Sequence, residues 1–330
     1  MEQIKVLVLA PIGDENLRQI EAIGPRIKMT DAANLFRGEQ NGESAATARL
    51  NSLLANTEVI FGLRLPARVL SRAPNLKWIQ VMSAGMNRFL DAEMVQSPVT
   101  MTNVSGIHAT PISEFVLAQM LMLVKQVPVC FQMKQRQQWQ RVTPGVLRSK
   151  TVGIVGLGNI GREVARLAKA FGMKVLATRR SAKASSRARY VDLLLPSDKL
   201  PQLLAESDFV VLTLPQTPET IKLIGEKELR AMKPTAYLVN IARGGIIDEA
   251  VLIRALEGHW IAGAGLDVFE TEPLPPASKL WQIPNAILSP HIAGGMADYN
   301  TRATAVFCDN LRRYADGKKL HNIVDKQKGY

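Results

Sequence analysis

Short apolar runs alternate with longer amphipathic stretches along the first third of the chain. Residues 4–9 predict a buried strand, residues 44–56 a helix, and residues 58–62 and 78–82 two further strands. Strands that alternate with helices are typical of a parallel sheet with both faces covered. The pattern therefore predicts a first α/β unit that ends near residue 100.

A long apolar helix is predicted to begin at Pro111, after the first unit. Thr110 or Ser113 can serve as its N-cap, because both carry a hydroxyl group that accepts a backbone N–H. Residues 126–149, which follow, are polar and basic and show little periodicity. We interpret them as an arm or loop.

A second series of strands and helices runs from Thr151 to about Pro290. A last helix, at about 296–316, follows this series, so we expect it to return to the first unit. The predicted division is residues 1–100 with 296–330 as one domain and residues 101–295 as the other, with an arm near 105–149.

Composition bounds the class of protein. The chain has 330 residues, of which 47% are hydrophobic and 21% charged, so two domains with real cores fit and a disordered chain does not. Cys130 and Cys308 are too few for a disulfide framework. The longest apolar stretch, residues 115–124, is shorter than the ~20 residues of a membrane span, and no secretory signal is visible. We expect a cytoplasmic protein without a membrane partner.

The net charge of +12 fits a nucleic-acid partner, an anionic substrate or simply solubility. Residues 125–150 and 174–189 each hold six basic side chains and no acidic one. No helix-turn-helix, zinc or RNA-platform signature accompanies them. We therefore expect neither a nucleic-acid partner nor a metal site.

The strongest motif is a glycine-rich loop between a predicted strand and an amphipathic helix. Gly156 permits a tight turn, Gly158 lets a pyrophosphate approach the backbone, and Gly161 lets helix and strand pack closely. The helix N-terminus presents free N–H groups to the anion. The order of strand, turn and helix predicts a dinucleotide site that also includes Asn159 and Ile160.

The residues after the next strand bear on the type of dinucleotide. This strand ends at Thr178, where an NAD site usually has an acid, and Arg179 and Arg180 follow. A carboxylate would repel a 2′-phosphate, whereas guanidinium groups bind it. A solvated basic loop is the simpler interpretation. The missing acid favours NADP(H) as the cofactor, with NAD(H) as the alternative.

Three later predicted strands each lead into polar residues: Arg243, Glu272 and His291. Strand ends line the ligand crevice of a doubly wound sheet, so these side chains are able to converge. Reduction of a 2-keto acid needs a proton donor, which an imidazolium provides near neutral pH. A carboxylate on the other ring nitrogen fixes its tautomer, and an arginine binds a carboxylate and polarises a carbonyl.

In these motifs the chain resembles the D-isomer-specific 2-hydroxyacid dehydrogenases, close to their glyoxylate/hydroxypyruvate reductase branch. The resemblance implies a Rossmann dinucleotide-binding domain plus a smaller flavodoxin-like α/β substrate domain, in a homodimer whose arm contains Trp139. The motifs that carry it, besides the glycine loop, are Leu214–Thr220, Asn240–Gly245, Asp267–Pro273 and Ser289–Gly294.

The resemblance also implies roles for single residues. His291 is expected to be the acid/base, Glu272 its partner, and Arg243 the substrate-binding catalytic arginine. The backbone at residues 83–86, with Ala84 and Gly85, is expected to bind the substrate carboxylate. Further cofactor contacts are expected from Pro215, Thr220, Ile241, Ala242, Asp267 (to the nicotinamide carboxamide) and Gly294.

Two alternatives stay open on the same fold: a dinucleotide-sensing, corepressor-like binding protein, and an enzyme similar to D-3-phosphoglycerate dehydrogenase. The sequence also leaves open the 2-keto acid and the roles of Trp139, His108 and Arg64. Small side chains at residues 83–85 favour a compact acid such as glyoxylate or hydroxypyruvate. His259 is predicted to lie in an exposed turn.

Overall fold

The computed structural model describes residues 3–329 and divides the chain into two units. Within that range, unit 1 comprises the residues up to Ile107 and from Met296 onward, and unit 2 comprises His108–Gly295. Unit 1 thus continues seven residues beyond the predicted boundary at residue 100 (107 − 100). The assignment of the units to substrate and cofactor stays a prediction.

The first part of unit 1 is a five-stranded parallel sheet with helices between its strands. Its elements are β1 (Ile4–Val8), α1 (Asp14–Glu21), β2 (Ile27–Asp31), α2 (Ala33–Gln40), α3 (Ser44–Leu54), β3 (Val59–Gly62), α4 (Val69–Arg72), β4 (Trp78–Val81), α5 (Ala92–Gln96) and β5 (Thr100–Thr102). The strand order is β2-β1-β3-β4-β5. Every residue of β3 and β4 is buried, as in a sheet covered on both faces. This order is the predicted flavodoxin-like arrangement.

Unit 2 contains an eight-stranded sheet. Its elements are α6 (Ala109–Val124), α7 (Val127–Gln135), β6 (Thr151–Val155), α8 (Asn159–Ala170), β7 (Lys174–Thr178), β8 (Ser186–Ala188), β9 (Val191–Leu195), α9 (Leu200–Glu206), β10 (Phe209–Leu212), α10 (Glu226–Ala231), β11 (Tyr237–Asn240), α11 (Glu249–Glu257), β12 (Gly263–Leu266) and β13 (Ala286–Leu288). The strand order is β13-β12-β11-β10-β6-β7-β9-β8, parallel except for the β8–β9 pair. The order reverses between β6 and β10, which confirms the predicted Rossmann fold and locates its ligand crevice.

The chain then returns to unit 1 through α12 (Tyr299–Ala315). The ring of Phe307 on this helix stacks on that of Phe61 in β3, with centroids 4.2 Å apart. Beyond α12, Ile323 bridges antiparallel to Thr102 at the edge strand β5. The last part of the chain therefore completes the core of unit 1.

The predicted start of the first helix of unit 2 is wrong, and the prediction of an arm or loop for residues 126–149 is incomplete. α6 begins at Ala109, so Thr110 and Ser113 lie inside the helix, where the Ser113 hydroxyl donates to the Thr110 carbonyl at 2.8 Å. The segment 126–149 is not only loop, because it contains α7. The apolar and polar residues of α7 are not separated onto different faces of the helix, so the sequence has no amphipathic pattern from which this helix could be predicted, and none of its residues is buried.

The most apolar helix, α6, belongs to the core of unit 2, where Val116 and Met120 are fully buried. Within residues 3–329 no single helix is long and apolar enough to cross a membrane. Only α6 and α7 taken together, with a bend of 63° between them, meet the limits of length and composition.

Candidate active site

The three candidate catalytic residues follow three neighbouring strands of unit 2. Arg243 comes after β11, Glu272 after β12 and His291 after β13, and these strands are adjacent and parallel. Parallel strands end at the same edge of a sheet. The fold therefore places the three loops side by side, although they are far apart in the sequence.

His291 and Glu272 form a direct contact. Nδ1 of His291 lies 2.7 Å from Oε2 of Glu272, and the other carboxylate oxygen accepts the N–H of Phe269 at 3.1 Å. Because a carboxylate only accepts hydrogen bonds, Nδ1 carries the hydrogen in this contact, which leaves Nε2 for other partners. The contact that the sequence predicts between these two residues is present, and both side chains are partly exposed.

A buried carboxylate builds the turn that carries His291. Asp267, only 1% exposed, accepts hydrogen bonds from the Ser289 hydroxyl (2.6 Å) and from the N–H groups of Ile292 (2.9 Å) and Ala293 (2.8 Å). Its carbonyl accepts the N–H of His291 at 2.9 Å. His291 has a left-handed φ of 54°, which costs a non-glycine residue about 1–2 kcal/mol. The sequence did not indicate that Asp267 positions the turn of His291. The predicted contact of Asp267 with a nicotinamide stays a prediction.

Arg243 lies half-buried beside the same pair. Burial lowers the pKa of its guanidinium, and the charge of Glu272 partly opposes that effect, which indicates that the two side chains are within electrostatic reach. Nη1 of Arg243 donates to the carbonyl of Ala242 at 2.6 Å. An arginine keeps its charge even so. The structure thus brings a positive charge close to the His291–Glu272 pair, as predicted.

Two neighbours of Arg243 shape its loop. The side chain of Asn240 donates to the Arg243 carbonyl and accepts the Ala242 N–H, both at 3.0 Å. Gly244 packs directly on the next loop, since a Cβ there would lie 1.9 Å from the carbonyl carbon of Phe269. A side chain at Gly244 would therefore push apart the loops that carry Arg243 and Glu272.

His108, whose role the sequence leaves open, lies close to this group. Burial lowers the pKa of its imidazole, and the nearby charge of Arg243 lowers it further. A Cβ at Gly294 would lie 3.0 Å from Cδ2 of His108. His108 and Gly294 therefore pack together at the margin of the site. No pattern in the sequence around His108 points to this place.

An apolar cavity of about 680 Å³ adjoins the His291–Glu272 pair. Most of its wall is apolar, and sequence reasoning missed it because its residues come from three separate segments. The lining residues are Phe269, Glu272, Pro273, Leu274, Trp281, Leu288, Ser289, Pro290 and His291.

The glycine loop joins β6 to α8 and packs against the end of β7. Gly156 has a φ of 102°, and its N–H and that of Leu157 donate to the carbonyl of Thr178 at 3.2 and 3.0 Å. A Cβ at Gly161 would lie 2.5 Å from the Gly156 carbonyl oxygen, so only glycine permits this close packing of helix and turn.

This loop fits the pyrophosphate of a dinucleotide. A Cβ at Gly158 would meet no atom within 4 Å, so there is open space above the loop. The N-terminus of α8 has no side-chain cap, and the first N–H groups of a helix have no partner within it. Gly156, Gly158, Asn159, Ile160 and Gly161 are the residues that would hold the pyrophosphate.

The sequence profile of the D-isomer specific 2-hydroxyacid dehydrogenase NAD binding domain matches residues 117–293, more than half of the chain. The chain belongs to this family. The glyoxylate reductase of Aeropyrum pernix is 37% identical to this dehydrogenase over 276 residues, which cover 80% of this chain and 81% of that protein. The protein is thus a 2-hydroxyacid dehydrogenase with a nicotinamide dinucleotide as cofactor.

Two crystal structures are similar over nearly the full length of the dehydrogenase. A family protein from Aeromonas salmonicida has a TM-score of 0.84 at 32% identity and covers 98% of this chain and 100% of its own. An NADPH-dependent glyoxylate/hydroxypyruvate reductase from Sinorhizobium meliloti, in complex with NADP and sulfate, has a TM-score of 0.81 at 26% identity. It covers 99% of this chain and 100% of its own.

Other residues predicted to contact the cofactor lie at the end of β7 or follow β7, β10 and β11. Thr178 is buried at the end of β7, and Arg179 and Arg180 follow it as exposed residues. A hydrogen bond from Thr217, with a smaller effect from the charge of Arg180, lowers the pKa of Glu219. Arg180 therefore lies within electrostatic reach of the segment after β10.

That segment has its own internal bonds. The Thr220 hydroxyl donates to the Pro215 carbonyl at 2.8 Å and accepts the Thr217 N–H at 2.7 Å. Ile241 and Ala242 are buried after β11. The cofactor contacts assigned to Pro215, Thr220, Ile241 and Ala242 stay predictions.

In unit 1, the predicted substrate loop follows β4. The Ser83 hydroxyl donates to the Gly85 carbonyl at 2.9 Å, and the Asn103 amide donates to the Ala84 carbonyl at 3.1 Å. Both bonds use carbonyl groups of the loop. The carboxylate contact assigned to Ala84 and Gly85 stays a prediction. Arg64 is exposed and lines a separate cavity of about 580 Å³.

Proposed function

We propose that this dehydrogenase reduces a small 2-keto acid to the D-2-hydroxy acid, with NADPH as the preferred cofactor and His291 as the acid/base. The observation that carries the proposal is the 2.7 Å contact between His291 Nδ1 and Glu272 Oε2 at the strand ends of unit 2. An imidazole held on one nitrogen by a carboxylate is suited to transfer a proton from the other.

His291 moves the proton of the reaction. A nicotinamide dinucleotide held by the loop Gly156–Gly161 would supply the hydride, and the carbonyl oxygen of the keto acid would then develop negative charge. The imidazolium of His291 donates a proton to that oxygen, and in the reverse direction the neutral ring accepts it. Glu272 keeps the ring oriented, because its carboxylate lies 2.7 Å from Nδ1 and leaves Nε2 for the substrate oxygen.

Arg243 binds and polarises the substrate. Its guanidinium offers two parallel N–H groups, which match a carboxylate or a carboxylate with its neighbouring carbonyl. Partial burial strengthens this attraction, because water screens it less. Loss of Arg243 is therefore expected to raise the KM for the keto acid and to lower kcat.

The cofactor preference rests on the end of β7. Thr178 stands where an acid would bind the 2′-hydroxyl of NAD, and Arg179 and Arg180 are exposed beside it. Two guanidinium groups provide the charge that a 2′-phosphate requires. The similar reductase from Sinorhizobium meliloti is NADPH-dependent and was crystallised with NADP, which supports the same preference here.

A small substrate is supported by the relatives. The glyoxylate reductases of Aeropyrum pernix and Thermofilum pendens are 37% and 34% identical to this chain. We therefore propose glyoxylate or hydroxypyruvate as the substrate.

We also propose a homodimer through α7 and the residues after it. α7 buries none of its residues, Phe131 is exposed, and Trp139 is 99% exposed. Such exposed apolar side chains mark an interaction surface. Light scattering is expected to give twice the mass of one chain, and Trp139→Ala to weaken the dimer. A monomer at micromolar concentration would contradict the proposal.

A kinetic panel tests the activity. Glyoxylate, hydroxypyruvate and 3-phosphohydroxypyruvate are each offered with NADPH and with NADH, and the configuration of the product is determined. We expect the highest kcat/KM for one of the first two acids with NADPH, and a D product where the product is chiral. Tight cofactor binding without turnover would refute the activity, and a preference for NADH would refute the cofactor assignment.

A further inference from the structure

A reciprocal pair of glutamates links α11 to the loop that carries Glu272. The N–H of Glu249 donates to Oε1 of Glu270 at 3.4 Å, and the N–H of Glu270 donates to Oε2 of Glu249 at 3.1 Å. We name this pair the carboxylate clasp. Neither residue takes part in the chemistry described above.

The clasp brings two like charges together. Burial raises the pKa of Glu249, and the charge of Glu270 raises it further, while the Glu270 N–H acts in the opposite direction. Glu249 is the first residue of α11, and the free N–H groups of a helix N-terminus favour nearby carboxylates. Lys222, bonded to Asp248 at 3.1 Å, adds a positive charge on the same side. These groups compensate for the repulsion between the two glutamates.

The clasp acts on the main chain from which Glu272 takes its orientation. Glu270 directly follows Phe269, whose N–H donates to Oε1 of Glu272 at 3.1 Å. The other oxygen of Glu272 lies 2.7 Å from Nδ1 of His291. On its other side, the Phe269 main chain packs on Gly244, next to Arg243. A shift of residues 269–270 would therefore reach the carboxylate that orients the imidazole.

We propose that Glu249 and Glu270 are positioning residues for the Glu272–His291 pair. The clasp fixes the 269–270 main chain against the N-terminus of α11 and so holds the Glu272 carboxylate against the ring. This inference rests on the proposed function, because it concerns the geometry of the same acid/base pair.

The test replaces each glutamate by alanine and by glutamine. Alanine removes the acceptor, whereas the glutamine amide oxygen can still accept the partner's N–H. Glu257→Ala is the control, because Glu257 is exposed at the other end of α11. For each variant, kcat, the KM for the keto acid, the Kd for NADPH, the pH profile of kcat/KM and the thermal unfolding midpoint are measured.

We expect Glu249→Ala and Glu270→Ala to lower kcat about three- to thirtyfold, as for lost coupling in a hydrogen-bonded network. The pH profile of kcat/KM for reduction is expected to change together with kcat, because a misplaced Glu272 no longer holds the His291 ring in one orientation. The Kd for NADPH is expected to stay unchanged, and the glutamine variants to recover most of the loss.

A fall of the unfolding midpoint with an unchanged kcat and pH profile would overturn the proposal, because it would assign the clasp a purely structural role. Glutamine variants as impaired as the alanine variants would overturn it as well. If the parent protein shows no turnover, the proposed function fails separately. The His291 ring resonances, recorded by NMR at a fixed pH, then test the clasp, and resonances that stay unchanged in the alanine variants refute it.

Discussion

Replacing Asp267 by asparagine separates two roles of this residue: support of the His291 turn and contact with the cofactor. The Asp267 carboxylate receives three donors, from Ser289, Ile292 and Ala293. Asparagine has nearly the same shape but only one acceptor oxygen. In either orientation, its NH₂ group faces at least one N–H or O–H group that needs an acceptor.

The expected cost follows from these contacts. In the more favourable orientation of the asparagine side chain, its oxygen still accepts the hydrogen bonds from Ser289 and Ile292. Its NH₂ group then faces the N–H of Ala293, which loses its acceptor. A hydrogen bond to a charged group contributes about 1.5–3 kcal/mol, and a buried donor left without an acceptor costs about 1–3 kcal/mol. The two figures describe partly the same loss and cannot simply be added. We therefore expect Asp267→Asn to lower the free energy of unfolding by about 2–4 kcal/mol.

The assay is denaturant unfolding without cofactor, followed by titration with NADPH. We expect a lower unfolding midpoint and a lower kcat for Asp267→Asn. The control is Asp198→Asn, which changes an exposed acid of the same unit and is expected to leave both unchanged. If Asp267 serves only the nicotinamide, the midpoint without cofactor stays at the parent value while the Kd for NADPH rises. That result would refute the structural reasoning.

Three further substitutions or reactions test separate parts of the structure. His291→Ala is expected to lower kcat by about 10²–10⁴-fold with an unchanged Kd for NADPH by fluorescence; unchanged turnover would exclude His291 as the acid/base. Arg179→Ser combined with Arg180→Ser is expected to lower kcat/KM with NADPH and to leave that with NADH unchanged. Burial raises the pKa of Cys308 to about 11, so at pH 8 only about one thiol in a thousand is ionised. Iodoacetamide is therefore expected to label Cys308 much more slowly in the folded than in the denatured protein, and equal rates in the two states would contradict the burial.

The sequence was most informative where a feature depends on a local pattern. Strands are recognised in the sequence as apolar runs, and the glycine loop is recognised by the spacing of its glycines. The two sheets could therefore be predicted, together with the sheet edge that carries Arg243, Glu272 and His291. The start of α6 could not, because Thr110 and Ser113 are both acceptable caps and neither is used. A helix without a buried face, such as α7, likewise leaves no periodic signal.

The supporting contacts could not be predicted, for a different reason. The clasp joins residues 249 and 270, and the Asp267 contacts join residues 267 and 289–293. Each of these contacts joins two segments that follow neighbouring strands. The sequence of either segment alone does not indicate how close the two segments lie. From the sequence alone, an acidic residue in a loop is expected to be exposed to solvent. Only the fold shows which N–H groups its carboxylate faces.

The acids of this site share one physical feature that bears on catalysis. Asp267, Glu272, Glu249 and Glu270 each accept at least one main-chain N–H from the loops around the strand ends. A carboxylate that binds main chain holds a loop more rigidly than an exposed ion pair does, because the main-chain N–H group has no side-chain rotamers to change. Donors and acids fixed in this way need little reorganisation when charge develops on a substrate oxygen. The same argument explains why loss of an acid that touches no substrate is expected to appear in kcat more than in the binding of the cofactor.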